Sequence, residues 1–328
     1  MMDLYITRYF DMSESSSDDE LIAEYVIMRR PKLFRPRNSP LNHWDYVDFC
    51  KRYRLSKDTA MWIVREIGNE LQTTTTRNHA VTPLEQLLIT LRFYATGNMQ
   101  QCSGDLSGVS KSTVCKIIHS VSRQICVKLK YHIAMPRTRE ELREVKEVFY
   151  KIAKIPSVVG AIDCTHIRIA SPGGDNAELY RNRKDVFSIN TQAVVDGNMK
   201  IRNIVARWPG SVLITIFNSS EVKDNMVHSE LFQRCYLLGD RGYALKKYLL
   251  TPLANPQTAA EKLYNESHIR TRNIVERTFG VWKRRFPCVG SKLRVKLCNV
   301  QLWFFRIKSN ICFLNSISKS WSSFCCFK

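Results

Sequence analysis

The chain has 328 residues, 44% hydrophobic and 24% charged, a balance that excludes wholesale disorder and fibrous repeats and leaves room for two domains. Fifty Lys and Arg stand against 30 Asp and Glu, a net charge of +20 that points to a polyanionic partner, nucleic acid before an anionic membrane surface. No apolar run approaches the ~20 residues that span a bilayer. The first twenty residues lack the basic-then-apolar order of a secretory leader, so an intracellular chain is expected. None of the 11 cysteines forms a CxxC pair, and the 7 histidines form no HxxxH pattern. A zinc finger is therefore not expected, and the thiols should be mostly free and buried, with Cys325-Cys326 an incidental tail pair.

In chain order, SESSSDDE at 13–20 reads as a frayed acidic terminus, and RRPKLFRPRN at 29–38 as a basic arm. From Trp44 to about Gln72, Phe49, Tyr53, Ala60, Ile63 and Ile67 recur at helical spacing and predict two short helices, which TTTT at 73–76 ends. Thr82 with Pro83 starts a further helix whose stripe is Leu84, Leu87, Leu88, Leu91 and Tyr94, and Gly97 stops it. A short helix to Leu106, a turn at Gly108 and a longer helix from Lys111, capped by Ser110, follow; Val114, Ile117, Ile118, Val121 and Ile125 form the buried face. Helix, glycine turn, helix is the helix-turn-helix pattern. Lys111, Ser112, Thr113 and Lys116 on its outer side are then candidate DNA contacts, the plain alternative being a helical hairpin with a solvated face.

After an amphipathic helix at 141–155 the period changes from helical to alternating. Residues 158–170 read as a strand, 187–208 as two strands turning at Asp196-Gly197-Asn198, 221–234 as helical, 235–240 as a short buried strand, and about Ala259 to Arg285 as one long helix. That order predicts an α/β domain with a mixed sheet.

Three carboxylates stand out. Asp163 interrupts the apolar VVGAIDCTHI, Asp240 follows the buried CYLLG, and Glu276 lies on the long helix between Val275 and Phe279. A buried carboxylate is costly unless paired or metal-bound. Three hard oxygen donors converging at one sheet edge suit Mg²⁺ or Mn²⁺, the ions of phosphodiester cleavage. The plain alternatives are a strand end at Asp163, a turn at Asp240-Arg241-Gly242, and a pair of Glu276 with Arg272 or Arg277 on its own helix. Asp196 is explained by its turn, and Asp175 and Asp185 by polar loops. Arg181, Arg183 and Lys184, and Lys283, Arg284 and Arg285, are placed to hold a phosphodiester backbone, and no acidic residue follows Glu276. Trp208, Trp282 and Tyr243 sit in apolar context and are expected in the core.

GAIDCTHIRI, YRNRKDVFSINTQAVVD, VARWPGS, LLGDRGYALKKYLLTP and NESHIRTRNIVERTFGVWKRRFPCV, in that order, resemble the PIF/Harbinger transposases and their domesticated, harbinger transposase-derived nucleases, over about residues 45–300. The resemblance implies a ribonuclease-H-like mixed sheet with flanking helices, preceded by an all-helical domain containing a helix-turn-helix. It implies a catalytic and metal-binding Asp-Asp-Glu triad on Asp163, Asp240 and Glu276, with Mg²⁺ or Mn²⁺, and metal-dependent DNA cleavage and strand transfer. A Myb/SANT-like DNA-binding protein is the implied partner, and the nucleus, with the cytoplasm second, the implied location. The expected organisation is a disordered basic arm at 1–40, a helical DNA-binding-like domain at 41–135, a nuclease domain at 141–310 and a tail at 311–328.

Two stretches depart from the pattern. After Trp208-Pro209-Gly210-Ser211 the family has His-Asp-Ser, whose Asp counts with the metal-binding carboxylates; here the run is Val212-Leu213-Ile214-Thr215-Ile216-Phe217. Of the family's C-terminal Leu-His-Asn-like motif only Asn310-Ile311-Cys312 remains. The competing expectation is therefore a catalytically decayed copy that binds DNA or a partner. A membrane-surface role would need a sustained basic amphipathic helix, and FFRIKSNICF is too irregular for one.

Overall fold

Capping side chains set where the first helices begin. The computed structural model describes residues 37, 39–73, 79–128, 132–211, 215–218 and 220–293. After α1 (Pro40–His43), the Asp45 carboxylate accepts the Asp48 N–H at 2.7 Å and opens α2 (Tyr46–Tyr53); Ser56 Oγ accepts the Thr59 N–H at 3.1 Å and opens α3 (Lys57–Ile67). Thr82 and Glu85 form a reciprocal capping box for α4 (Pro83–Thr96), which ends at Gly97 with φ 64°. From the basic arm, Arg37 reaches this cap and pairs with Glu85 at 3.3 Å. Next come α5 (Gln100–Ser107), a turn at Gly108 with φ 65°, and α6 (Lys111–Lys128), whose Val114, Ile117, Ile118, Val121 and Ile125 are all buried. Thr138 then caps α7 (Arg139–Ala153).

Beyond α7 the chain lays down β1 (Val158–Arg168), β2 (Ser188–Val195), β3 (Ile201–Pro209), α8 (Thr215–Asn218), α9 (Glu221–His228), β4 (Tyr236–Leu238), β5 (Leu249–Leu250), α10 (Ala259–Arg285) and α11 (Pro287–Gly290). The strands form one sheet in the order β3-β2-β1-β4-β5, antiparallel from β3 to β1 and parallel from β1 to β5. The β2–β3 turn is held by Asp196, which accepts the N–H groups of Asn198 and Lys200, each at 2.9 Å, and pairs with Arg202 at 2.7 Å. Its 2% exposure thus has a purely local account.

Strand alternation divides the core. Ala161, Ile167, Ala193 and Val195 join a cluster with Phe149 of α7, Val275, Phe279 and Trp282 of α10, and the apolar faces of α2, α3, α4 and α6. Val159, Ile162, Val194 and Leu237 point the other way, onto Phe217, Val222 and Met226 of α8 and α9. With helices on both faces and this strand order, the architecture is a ribonuclease-H-like α/β fold preceded by helices. The described residues belong to one compact unit that begins at Arg37. Among them no helix is long and apolar enough to cross a membrane, and Cys50, Cys126, Cys235 and Cys288 are buried while Cys102 and Cys115 are exposed.

The acidic stretch 13–20, the arm 29–38 apart from Arg37, the threonines at 74–76, the departure at 212–214 and the whole run 294–328 lie outside the described residues. Strand β5 escapes the sequence pattern because two residues carry no period.

Candidate active site

A close strand contact sets the register of the site. A Cβ on Gly160 would lie 2.5 Å from Val194 Cγ1 and 3.0 Å from Leu237 Cδ2, so only glycine lets β1 press against both neighbours here. Ala161 then pairs with Leu238 in the parallel β1–β4 ladder. Two residues beyond each member of this pair are Asp163 and Asp240, close enough for the Asp240 charge to act on Asp163. Asp163 remains inside β1, opposite Ala193 of β2. Asp240 lies just past β4, where its carboxylate accepts the Gly242 N–H at 3.0 Å and its carbonyl the Tyr243 N–H at 3.2 Å. The turn expected as the plain alternative is thus present, and it sets the acid at the strand end.

Glu276 comes from α10. Its neighbours Val275 and Phe279 are buried, as are Thr271 and Thr278, while Glu276 faces outward. One turn earlier, Arg272 links helix to sheet: its Nη1 donates to Asp163 Oδ2 at 3.1 Å and its Nη2 to Glu276 Oε1 at 2.5 Å. The guanidinium is only 14% exposed and Asp163 18%, against 54% for Glu276, so the buried end of this bridge is the strand end. The sequence signalled the Glu276 half through its i,i+4 spacing. Nothing in it signalled the Asp163 half, because the two residues are 109 positions apart.

Burial pushes the Asp163 carboxyl above its usual range, and the Asp240 charge pushes the same way, against the Cys164 N–H and Arg272. On the opposite face, Cys164 Sγ lies 3.4 Å from the Tyr243 hydroxyl, which donates to Gln192 Oε1 at 3.4 Å. Burial raises the Cys164 thiol to about 11, with Asp163 and Asp240 adding to it, so this cysteine is a protonated thiol at neutral pH. Burial likewise raises Tyr243 far above its ordinary value.

Two carboxylates side by side, one of them half-buried, present hard donors whose repulsion a divalent cation would relieve. The chemistry of the donor set fits such an ion. The arrangement is closed, however, by Arg272: among the described residues no three His, Cys, Asp or Glu side chains stand together as a metal-holding group.

Residues 162–317 match the family model described as DDE superfamily endonuclease. The relatives named "Putative nuclease HARBI1" from Bos taurus and Mus musculus are 30% and 31% identical to this chain over 241 residues, covering 73% of it and 69% of their own length. The chain belongs to the PIF/Harbinger transposase family. A plant protein, "Protein ALP1-like" of Arabidopsis thaliana, is 27% identical over 221 residues, 63% of this chain and 54% of its own. No solved structure matches. For a PIF/Harbinger chain the matched endonuclease region begins one residue before Asp163 and takes in Asp240 and Glu276.

The basic candidates fall into two groups. Lys111, Ser112, Lys116, Arg183, Lys184 and Arg284 are exposed and Thr113 is half-buried. Lys111 also lines, with Asn98, Gln100 and Lys292, a cleft of about 320 Å³. The other cations already have partners inside the protein. Arg181 forms a two-pronged pair with Glu178 at 2.6 and 2.9 Å and lies 4.7 Å over Phe187. The Lys283 ammonium donates to Thr165 Oγ1 and to the His166 carbonyl, and Arg285 donates to the Arg54 carbonyl. Burial lowers the Arg285 pKa to about 10. Trp282 is fully buried, and Tyr243 packs edge-on against Phe217 with ring centres 6.1 Å apart.

Proposed function

We propose that this PIF/Harbinger chain is a divalent-metal-dependent DNA endonuclease, with Asp163, Asp240 and Glu276 as its catalytic and metal-holding residues. The observation that carries the reading is the β1–β4 register, which sets Asp163, inside β1, beside Asp240, just past the end of β4. Mg²⁺ or Mn²⁺ held there would supply a water activated near neutral pH and charge stabilisation for the leaving 3′ oxygen. The chain's own contribution is to fix the two aspartates on the sheet, present Glu276 from α10 on the far side of Arg272, and hold DNA phosphates with exposed cations. Lys111, Ser112, Thr113 and Lys116 on α6, Arg183 and Lys184 after β1, and Arg284 are the contacts assigned here, with a salt-dependent affinity. The exposed start of α6, after the glycine turn, supports a helix-turn-helix role. A nuclear location and a Myb/SANT-like partner belong to the same reading.

The test is nicking of supercoiled plasmid in Mg²⁺ or Mn²⁺ by the full chain and by Asp163→Asn. Nicking by the wild type, lost in the variant while a gel shift with the same DNA is retained, supports the assignment; normal nicking by the variant overturns it. The absence of the family's His-Asp after Ser211 favours a second reading, a DNA- or partner-binding protein with a silent core. That reading predicts a gel shift by the wild type with no metal-dependent nicking.

A further inference from the structure

The Arg272 bridge has no part in the chemistry assigned above. An i,i+4 ion pair on a helix surface accounts for Glu276 alone. It does not account for the second contact, which carries the same guanidinium across to a strand and onto a largely buried aspartate. Asp163 has both oxygens engaged: Oδ1 accepts the Cys164 N–H at 2.7 Å and Oδ2 accepts from Arg272. With Asp240 as a like-charged neighbour, a largely buried carboxylate is costly without a cation beside it, and Arg272 is the cation the structure places there.

We propose that Arg272 is a resident counter-cation that competes with a divalent ion for Asp163 and Glu276, so that metal enters only as the guanidinium leaves. This inference rests on the reading of these acids as a metal site. A divalent ion bonds carboxylate oxygen at about 2.0–2.6 Å. On Asp163 Oδ2 it would stand close beside a guanidinium already on that oxygen, in a half-buried setting where like charges are poorly screened. The two cations therefore exclude one another. The exchange is open to a side chain of this length, because Glu276 at the other end of the bridge is exposed. A ligand that must displace a resident partner binds more weakly by the fraction of time the site is open. The apparent affinity for metal is thus set by Arg272 as well as by the acids.

The experiment measures Mn²⁺ binding to the full chain without DNA, by calorimetry and by the paramagnetic resonance of free Mn²⁺, in the wild type, Arg272→Gln, Arg272→Lys and Asp163→Asn. Arg272→Gln should bind Mn²⁺ about tenfold more tightly or better, because it removes a competing charge from the ligands. Without metal it should melt below the wild type, and Mn²⁺ should raise its Tm by more than it raises the wild type's. Arg272→Lys, a point charge that cannot bridge two carboxylates, should fall between them. Equal or weaker binding by Arg272→Gln, with binding still lost in Asp163→Asn, overturns the competition and leaves the metal site standing. If Asp163→Asn binds Mn²⁺ as the wild type does, the metal-site reading falls and the competition with it. Should Arg272→Gln not fold, Arg272→Lys decides: affinity no higher than the wild type's overturns the proposal.

Discussion

Lys283 of α10 donates to Thr165 Oγ1 at 2.6 Å and to the His166 carbonyl at 2.9 Å, so the helix that carries Glu276 is fastened to the strand that carries Asp163. Burial holds the ammonium below its ordinary pKa, with Arg168 adding to the effect, yet two strong acceptors keep it in place. This arrangement predicts a stability phenotype. Lys283→Met leaves both acceptors without their charged donor and should cost about 1–3 kcal/mol in urea unfolding. Because the ammonium points inward, the slope of log affinity for DNA against log salt should not change. The adjacent, exposed Arg284 is the control: Arg284→Ala should leave the urea midpoint in place and reduce the magnitude of that slope by about 1. The opposite pattern would make Lys283 a phosphate contact.

Lys116 stands exposed on α6 while Ile117 and Ile118 beside it are buried. A charge there is free to meet phosphate without disturbing the core. Lys116→Ala should weaken DNA binding to a similar degree on unrelated sequences and lower the salt slope by about 1, with Tm unchanged. Unchanged affinity would remove the first turns of α6 from the interface.

His268 gives the fold a defined acid response. It is fully buried on α10, with its Nε2 3.1 Å from the Leu250 carbonyl. Burial lowers its pKa from the ordinary 6.5, and the Arg272 charge pushes the same way, against the bond to Leu250. Between the lowered folded value and 6.5 only the unfolded chain holds the proton, so stability falls as pH drops below about 6.5. His166, lowered by burial and by Lys283, Lys184 and Arg183, adds to the same trend. The urea midpoint should therefore be lower at pH 5.5 than at pH 7.5. His268→Gln, which retains an N–H for Leu250 but does not titrate, should shrink the difference. An undiminished difference would assign the acid response elsewhere.

The helices were legible because their signals are local. Thr82-Pro83, Ser110 and the stripe from Val114 to Ile125 each lie within a few turns, and α10 begins and ends at the residues its pattern predicts. The Asp196 turn was legible for the same reason. The acids could be picked out as carboxylates in apolar surroundings, but their meeting depends on a strand pairing that joins Ala161 to Leu238, which no local pattern encodes. Arg272 shows the limit most plainly: two of the three plain alternatives, the helix pair and the Asp240 turn, are present, while a strand end at Asp163 is not, since β1 runs on to Arg168. The inward-turned Lys283 and Arg285 were illegible for a related reason. A basic run at a helix end looks the same whether its heads meet solvent or the carbonyls of a distant strand or loop.

Two glycines separate close approach from mere helix interruption. At Gly160 an added Cβ would collide with Val194 Cγ1 at 2.5 Å, and behind it lies the β1–β4 pairing that sets Asp163 beside Asp240. Gly160→Ala should cost about 1–3 kcal/mol by overpacking. If the strands shift to make room, metal-dependent nicking should fall by more than the small loss of folded protein explains. Gly280 is the opposite case, since it lies mid-helix on α10, exposed, with nothing within 4 Å of the added Cβ. There alanine removes only unfolded-state freedom and should stabilise the fold by about 0.5–1 kcal/mol, with nicking retained. Chemical denaturation of both variants, read beside plasmid nicking, checks the contrast. A harmless Gly160→Ala would mean that β1 does not need this close contact to hold the acids in register.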